Sequence, residues 1–276
     1  MLDSSTKSLE ALTFALESHQ RYATRRRHIT DVFATICWFH EVREHIGAAS
    51  VAAVQSIVEP NPEKNPDSAR RWQDYRRGLH TPLNRVVKES EKVCPQAPLI
   101  YSSALWSALR LDRPATAIAT ALLQNMSHSL GRDLLERMLS LKSRPISHPR
   151  WVRKRCRAMI KLKSLDGLAA VVICMRLAAG ERDDRLARAF ARFSEYYLIV
   201  LGDWFYERGI AQSLGDYFET ILWPSCYGQP WVSTFSANRY IPNIHAMRAV
   251  WQQASGTNNG KVTLKALDEV LDYLES

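Results

Sequence analysis

The segment Ser68-Ala-Arg-Arg-Trp72-Gln-Asp-Tyr75-Arg-Arg-Gly78 mixes side chains that can hydrogen-bond a polyanion with side chains suited to burial. On a helix, Trp72, Tyr75 and Leu79 fall at i, i+3 and i+7 and share one buried face, leaving Arg70, Arg71, Gln73, Asp74 and Arg77 to point elsewhere. Guanidinium, amide and carboxylate groups can pair with base edges, and guanidinium also pairs with phosphate oxygens. Asp67 is placed to cap this helix, and Gly78 suits the left-handed residue that ends it. Thr81 and Pro82 suit the cap and first position of the next helix.

A second set of charges is concentrated in the segment from Lys142 to Lys163, which holds nine basic residues and no acid. The whole formal charge of +9 resides there, because the rest of the chain balances 28 acidic residues with as many basic ones. A helix from Arg150 onward aligns Arg150, Arg153, Lys154, Arg157 and Lys161 in one stripe, with Val152, Cys156, Met159 and Ile160 free to pack behind it. Like charges one turn apart repel, so a polyanion opposite the stripe would relieve it. Acids from elsewhere in the fold would do the same, and the sequence leaves both readings open.

Signatures of catalysis and metal binding are weak. In His40-Glu41-Val42-Arg43-Glu44-His45 the histidines are five residues apart, whereas two ligands on one helical face need i and i+4. Gly256 to Lys261 is one residue short of a phosphate-binding loop and lacks the hydroxyl that would hold magnesium. Glu195, Asp203, Glu207, Asp216 and Glu219 lie among aromatic residues, a setting that can raise a carboxyl pKa, but their spacing specifies no reaction. The five cysteines form no CxxC pair and no disulfide framework, which predicts buried free thiols. No catalytic residue, cofactor or metal is expected.

Almost every long segment carries a helical apolar pattern, so the predicted fold class is all-α, a multi-helix bundle. Expected helices include 29–46, 49–58, 99–110, 114–128, 131–141, 148–163, 165–179, a long one over 182–207, one from 209 to about 223, and two at the carboxy terminus. The expected division is a helical unit over 1–111 and a larger one over 112–276. The second carries the basic segment 142–163 and an aromatic-rich core over 190–240, which holds 14 of the chain's 26 aromatic residues. That region has few basic residues, so it reads as a packed core or a protein interface rather than a base-stacking surface. The final helix sets Leu264, Leu267, Leu271 and Leu274 opposite four acids and would dock on the body or on a partner. The longest apolar run, Leu168 to Met175, is 8 residues, far below the roughly 20 that span a bilayer. With no signal-peptide pattern at the amino terminus, a cytoplasmic protein without membrane attachment is expected.

The pattern Trp72-x-x-Tyr75-x-x-Gly78-x-x-x-Pro82, preceded by Ser68 and followed by Val86, Val87 and Val93, resembles the back half of helix-turn-helix domains of the phage-repressor and Cro type. The resemblance spans residues 65–95, within a helix-turn-helix-like segment 49–93 whose helix at 49–58 would be the positioning helix. The loop from Glu59 to Pro66 is longer than the tight turn of that family. The resemblance implies that Ser68, Arg70, Arg71, Gln73, Asp74 and Arg77 face a major groove, with Arg85 and Lys88 on phosphates. The expected function is non-catalytic nucleic-acid binding, duplex DNA more than RNA, as a regulator or a subunit of a nucleoprotein assembly. The alternative is a helical adaptor in a multiprotein complex whose basic stripe meets an acidic protein and whose residues 190–276 bind protein subunits.

Overall fold

The computed structural model describes residues 27–59, 68–126, 129–140, 149–227 and 240–249, and every regular element among them is a helix. Contacts divide the chain between Trp106 and Ser107 into two units.

The first unit is built on α1 (Ile29–His45), α2 (Val51–Val58), α3 (Ser68–Arg76), α4 (Asn84–Glu91) and α5 (Ala97–Tyr101), with the short α6 (Ala104–Ala108) at the division. A capping box starts α1: the His28 ring accepts from the Thr30 amide, and the Asp31 carboxylate accepts from the His28 amide. Ser50 caps α2 by accepting from the Ala53 amide at 3.1 Å. The core is aromatic. Trp38 of α1 stacks on Trp72 of α3 with centroids 5.8 Å apart, and Tyr75 meets both indoles edge-on. These geometries suit the ring quadrupoles and add to the large apolar area removed from water. The indole N–H of Trp38 donates to Ser90 Oγ at 3.0 Å, which ties α1 to α4 inside the core.

Gly78 ends α3 as the sequence predicts, with φ +69°. The Gly78 amide donates to the Tyr75 carbonyl and the Leu79 amide to the Asp74 carbonyl, the paired bonds of a Schellman turn. The next helix starts later than expected. Leu83 stands at the N-cap of α4 with no side-chain cap, so Thr81 and Pro82 belong to the connection rather than to the helix. Asp67, the predicted cap of α3, lies outside the described residues.

The second unit contains α7 (Ala115–Asn125), α8 (Ser129–Leu139), α9 (Pro149–Ile160), α10 (Leu165–Gly180), α11 (Asp184–Val200), α12 (Gly202–Glu207) and α13 (Ala211–Tyr217). A π-helical turn (Phe218–Leu222), α14 (Trp223–Tyr227) and helical residues 240–249 follow. The central element is α10, buried from Gly167 to Met175 and packed against α7, α8, α9, α11 and α14. The unit begins slightly before the expected position because three long-range bonds hold residues 108–113 in it. Tyr217 Oη donates to the Leu109 carbonyl at 2.7 Å, and the Arg176 guanidinium donates to the carbonyls of Ala108 and Arg113.

Two predicted helices are broken. The segment 99–110 forms the separate short helices α5 and α6. The long helix expected over 182–207 stops at Leu201 and restarts at Gly202. A Cβ at Gly202 would lie 2.3 Å from Ile244, so the close approach of residues 240–249 needs the glycine there. A further helix that the apolar residues Leu9, Leu12, Phe14 and Leu16 predict, and the Leu264–Leu274 stripe, lie outside the described residues. Among the described residues, no helix is long and apolar enough to cross a membrane.

Candidate nucleic-acid interface

Helix α3 sorts its residues sharply. Ser68, Trp72 and Tyr75 are buried, and Ala69, Arg70, Gln73, Arg76 and Arg77 are exposed along the opposite side. Arg71 is half-buried at the boundary. The exposed face therefore carries three guanidinium groups and one amide, and no acid.

Two of the residues expected on that face turn inward. Ser68 is 4% exposed; its hydroxyl accepts from Gln55 Nε2 at 2.9 Å and donates to Glu59 Oε2 at 3.1 Å, because the end of α2 presents polar groups that need partners. Asp74 is 8% exposed and lies 3.4 Å from His80 Nε2, since the turn at Gly78 brings the chain back beside it. The outward set assigned from the sequence is corrected accordingly. Arg76, which sequence reasoning passed over, joins it, being one turn beyond the buried Trp72 and just past the buried stripe.

The helix is held at both ends. Glu59 Oε2 accepts from the indole N–H of Trp72 at 2.9 Å as well as from Ser68, and Glu59 Oε1 lies 3.8 Å from Arg85. At the other end Arg27 donates to the Gly78 carbonyl at 2.6 Å and to Thr35 Oγ1 at 3.3 Å. Burial lowers the pKa of Arg27, with Asp31 acting against it. Burial likewise pushes the Tyr75 phenol up. On α4 the side chains of Arg85 and Lys88 are exposed, while Val86 and Val87 enter the core.

In the second unit, α9 buries Val152, Cys156, Met159 and Ile160 and exposes Arg153, Lys154 and Lys161, with Arg157 half-buried. The side chain of Arg150 lies outside the described residues. Part of the positive charge is locally answered. Asp133 of α8 reaches Arg155 at 3.0 Å and Arg137 at 3.3 Å, and the Arg137 guanidinium lies 4.3 Å from the centroid of Trp151. Burial lowers the pKa of Lys163, opposed by Asp203.

No protein-family model, curated protein or solved structure matches this chain. Its function is therefore read from geometry.

The remaining chemistry-bearing groups form no comparable set. No group of three His, Cys, Asp or Glu side chains able to hold a metal ion occurs among the described residues. His40 and His45 sit on α1, and the glycine-lysine segment 256–261 lies outside the described residues. Glu195 and Asp216 are buried within the second unit, where Asp216 Oδ1 accepts from Gln212 at 3.1 Å.

Proposed function

We propose that the chain is a non-catalytic, duplex-DNA-binding protein of the cytoplasm, acting as a regulator or as a subunit of a nucleoprotein assembly. In this reading α2, α3 and α4 form a helix-turn-helix-like unit and α3 enters the major groove. The observation that carries it is the composition of the outer face of α3: Arg70, Gln73, Arg76 and Arg77 are exposed together, and the one acid of the helix is turned away. Arginine reads guanine and glutamine reads adenine by paired hydrogen bonds, and guanidinium also meets phosphate. A reading helix must be rigid, and the aromatic anchor of Trp72 and Tyr75 with the bonds at both helix ends supplies that. Arg85 and Lys88 on α4, and separately the stripe on α9, offer phosphate contacts.

The test is fluorescence anisotropy of the full chain with labelled duplex DNA, single-stranded DNA and RNA. Duplex affinity is expected to fall by orders of magnitude between about 50 and 200 mM salt, as counterion release requires for several phosphate contacts. Absence of duplex binding at the lower salt sinks the reading. It would direct attention to an acidic protein partner for the basic faces.

A further inference from the structure

The Glu59 carboxylate, 20% exposed, links three successive helical elements of the first unit: it stands at the end of α2 and meets Ser68 and Trp72 of α3 and Arg85 of α4. We infer that Glu59 is the positioning residue that sets how α3 is presented to its ligand, an inference that rests on the duplex-binding reading above. In helix-turn-helix domains a tight turn fixes the angle between positioning and reading helices, whereas eight residues, 60–67, separate Glu59 from Ser68 here. Short side-chain bonds take over that role. Gln55 and Glu59, one turn apart at the end of α2, grip Ser68, and Glu59 alone reaches on to the buried indole of Trp72.

The electrostatics favour the arrangement. Aligned peptide dipoles leave partial positive charge at the start of a helix and partial negative charge at its end. Glu59 lies at the start of the nine-residue α3, and Arg27 binds the Gly78 carbonyl just beyond its end, so both charges suit the dipole of α3. The dipole of α2, at whose end Glu59 stands, opposes the carboxylate, and the Ser68, Trp72 and Arg85 groups around it offset that. Bonds from neutral donors to an ionised acceptor are also the short, directional ones, which suits a contact that fixes orientation. Because the carboxylate uses Oε2 for both α3 donors and Oε1 for Arg85, the two roles can be separated chemically.

Glu59→Gln keeps a carbonyl oxygen that can accept from Ser68 and Trp72 and loses the charge facing Arg85; Glu59→Ala loses everything. The experiment selects a preferred sequence from a randomised duplex pool and compares its affinity with that of a scrambled duplex. Glu59→Ala is expected to lower the preference about tenfold, the scale of one misread base pair, with affinity for the scrambled duplex retained. Glu59→Gln is expected to restore the preference to near the wild-type value. An unchanged preference in Glu59→Ala overturns the inference. So does an equal loss in Glu59→Gln, which would assign the effect to the charge on Arg85. If Glu59→Ala fails to fold, Trp72→Phe, which retains an aromatic ring and lacks the donor, is read the same way. The indole N–H resonance of Trp72 provides a check that needs no ligand: it should move in Glu59→Ala and stay near its position in Glu59→Gln. An unmoved resonance refutes the clamp even if duplex binds, and a chain that binds no duplex while its resonance moves refutes the function and keeps the clamp.

Discussion

Gly78 meets two demands at once. Its φ of +69° lies in the left-handed region, and a Cβ there would fall 2.5 Å from Val32 Cγ1 of α1. Replacement by alanine adds backbone strain and forces α3 away from α1, so Gly78→Ala should lower unfolding stability by about 2 kcal/mol, read as a lower midpoint in urea. A change of less than a few tenths would mean that the turn adapts. The exposed side chains on the same helix should behave in the opposite way. Gln73→Ala and Arg77→Ala remove no buried contact, and each is expected to leave stability unchanged within about 0.5 kcal/mol while shifting base preference by about 1–3 kcal/mol at a single position. Competition between selected and single-substituted duplexes measures that shift. A uniform loss across all sequences would instead make both residues phosphate contacts.

At the level of elements, α9 divides its labour between a buried face and a cationic one, and it should act without regard to sequence. Replacing Arg153, Lys154 and Arg157 by alanine should weaken binding to every duplex and flatten the plot of log affinity against log salt by about 3 units, roughly one for each phosphate that is no longer neutralised. An unchanged slope would place the stripe away from the polymer. The elements also mark how far the sequence could be read. Periodicity located α1, α2, α7, α8, α9 and α10 to within a few residues, because each repeats an apolar face over at least two turns. Gly78 was legible as a helix end because glycine at that spacing has few other roles. Asp74 was misread as outward because its partner, His80, is fixed by the return of the chain and not by the period of α3. Ser68, one turn before Trp72, lies on the buried stripe by that same period, against the outward role that the resemblance implies. The break at Leu201 was hidden for a similar reason: the neighbour that demands Gly202 is Ile244, distant in sequence. Glu59 gave no signal at all, since a carboxylate before two prolines reads as an ordinary loop residue.

The cysteines report on the molecule as a whole, since Cys37 and Cys94 are buried in the first unit and Cys156, Cys174 and Cys226 in the second. Burial raises the pKa of Cys226 from 9.0 to about 11, with Arg176 opposing, and pushes Cys156 and Cys174 up further. A thiol that keeps its proton in the folded state but loses it when unfolded stabilises the fold fully below its unfolded value, and that contribution disappears as pH rises toward the folded one. For Cys226 the window runs from about 9 to 11, so the second unit should lose stability across it, read as a falling urea midpoint. Because each unit has its own buried core, opening should be separable. In native buffer all five thiols should resist a disulfide reagent, and along a urea series Cys37 and Cys94 should become reactive as one set and Cys156, Cys174 and Cys226 as another, identified by mass spectrometry of the labelled peptides. Simultaneous labelling of all five would show instead that the two units unfold as one cooperative body, and the alkaline loss of stability would then weaken the α3 surface together with the second unit.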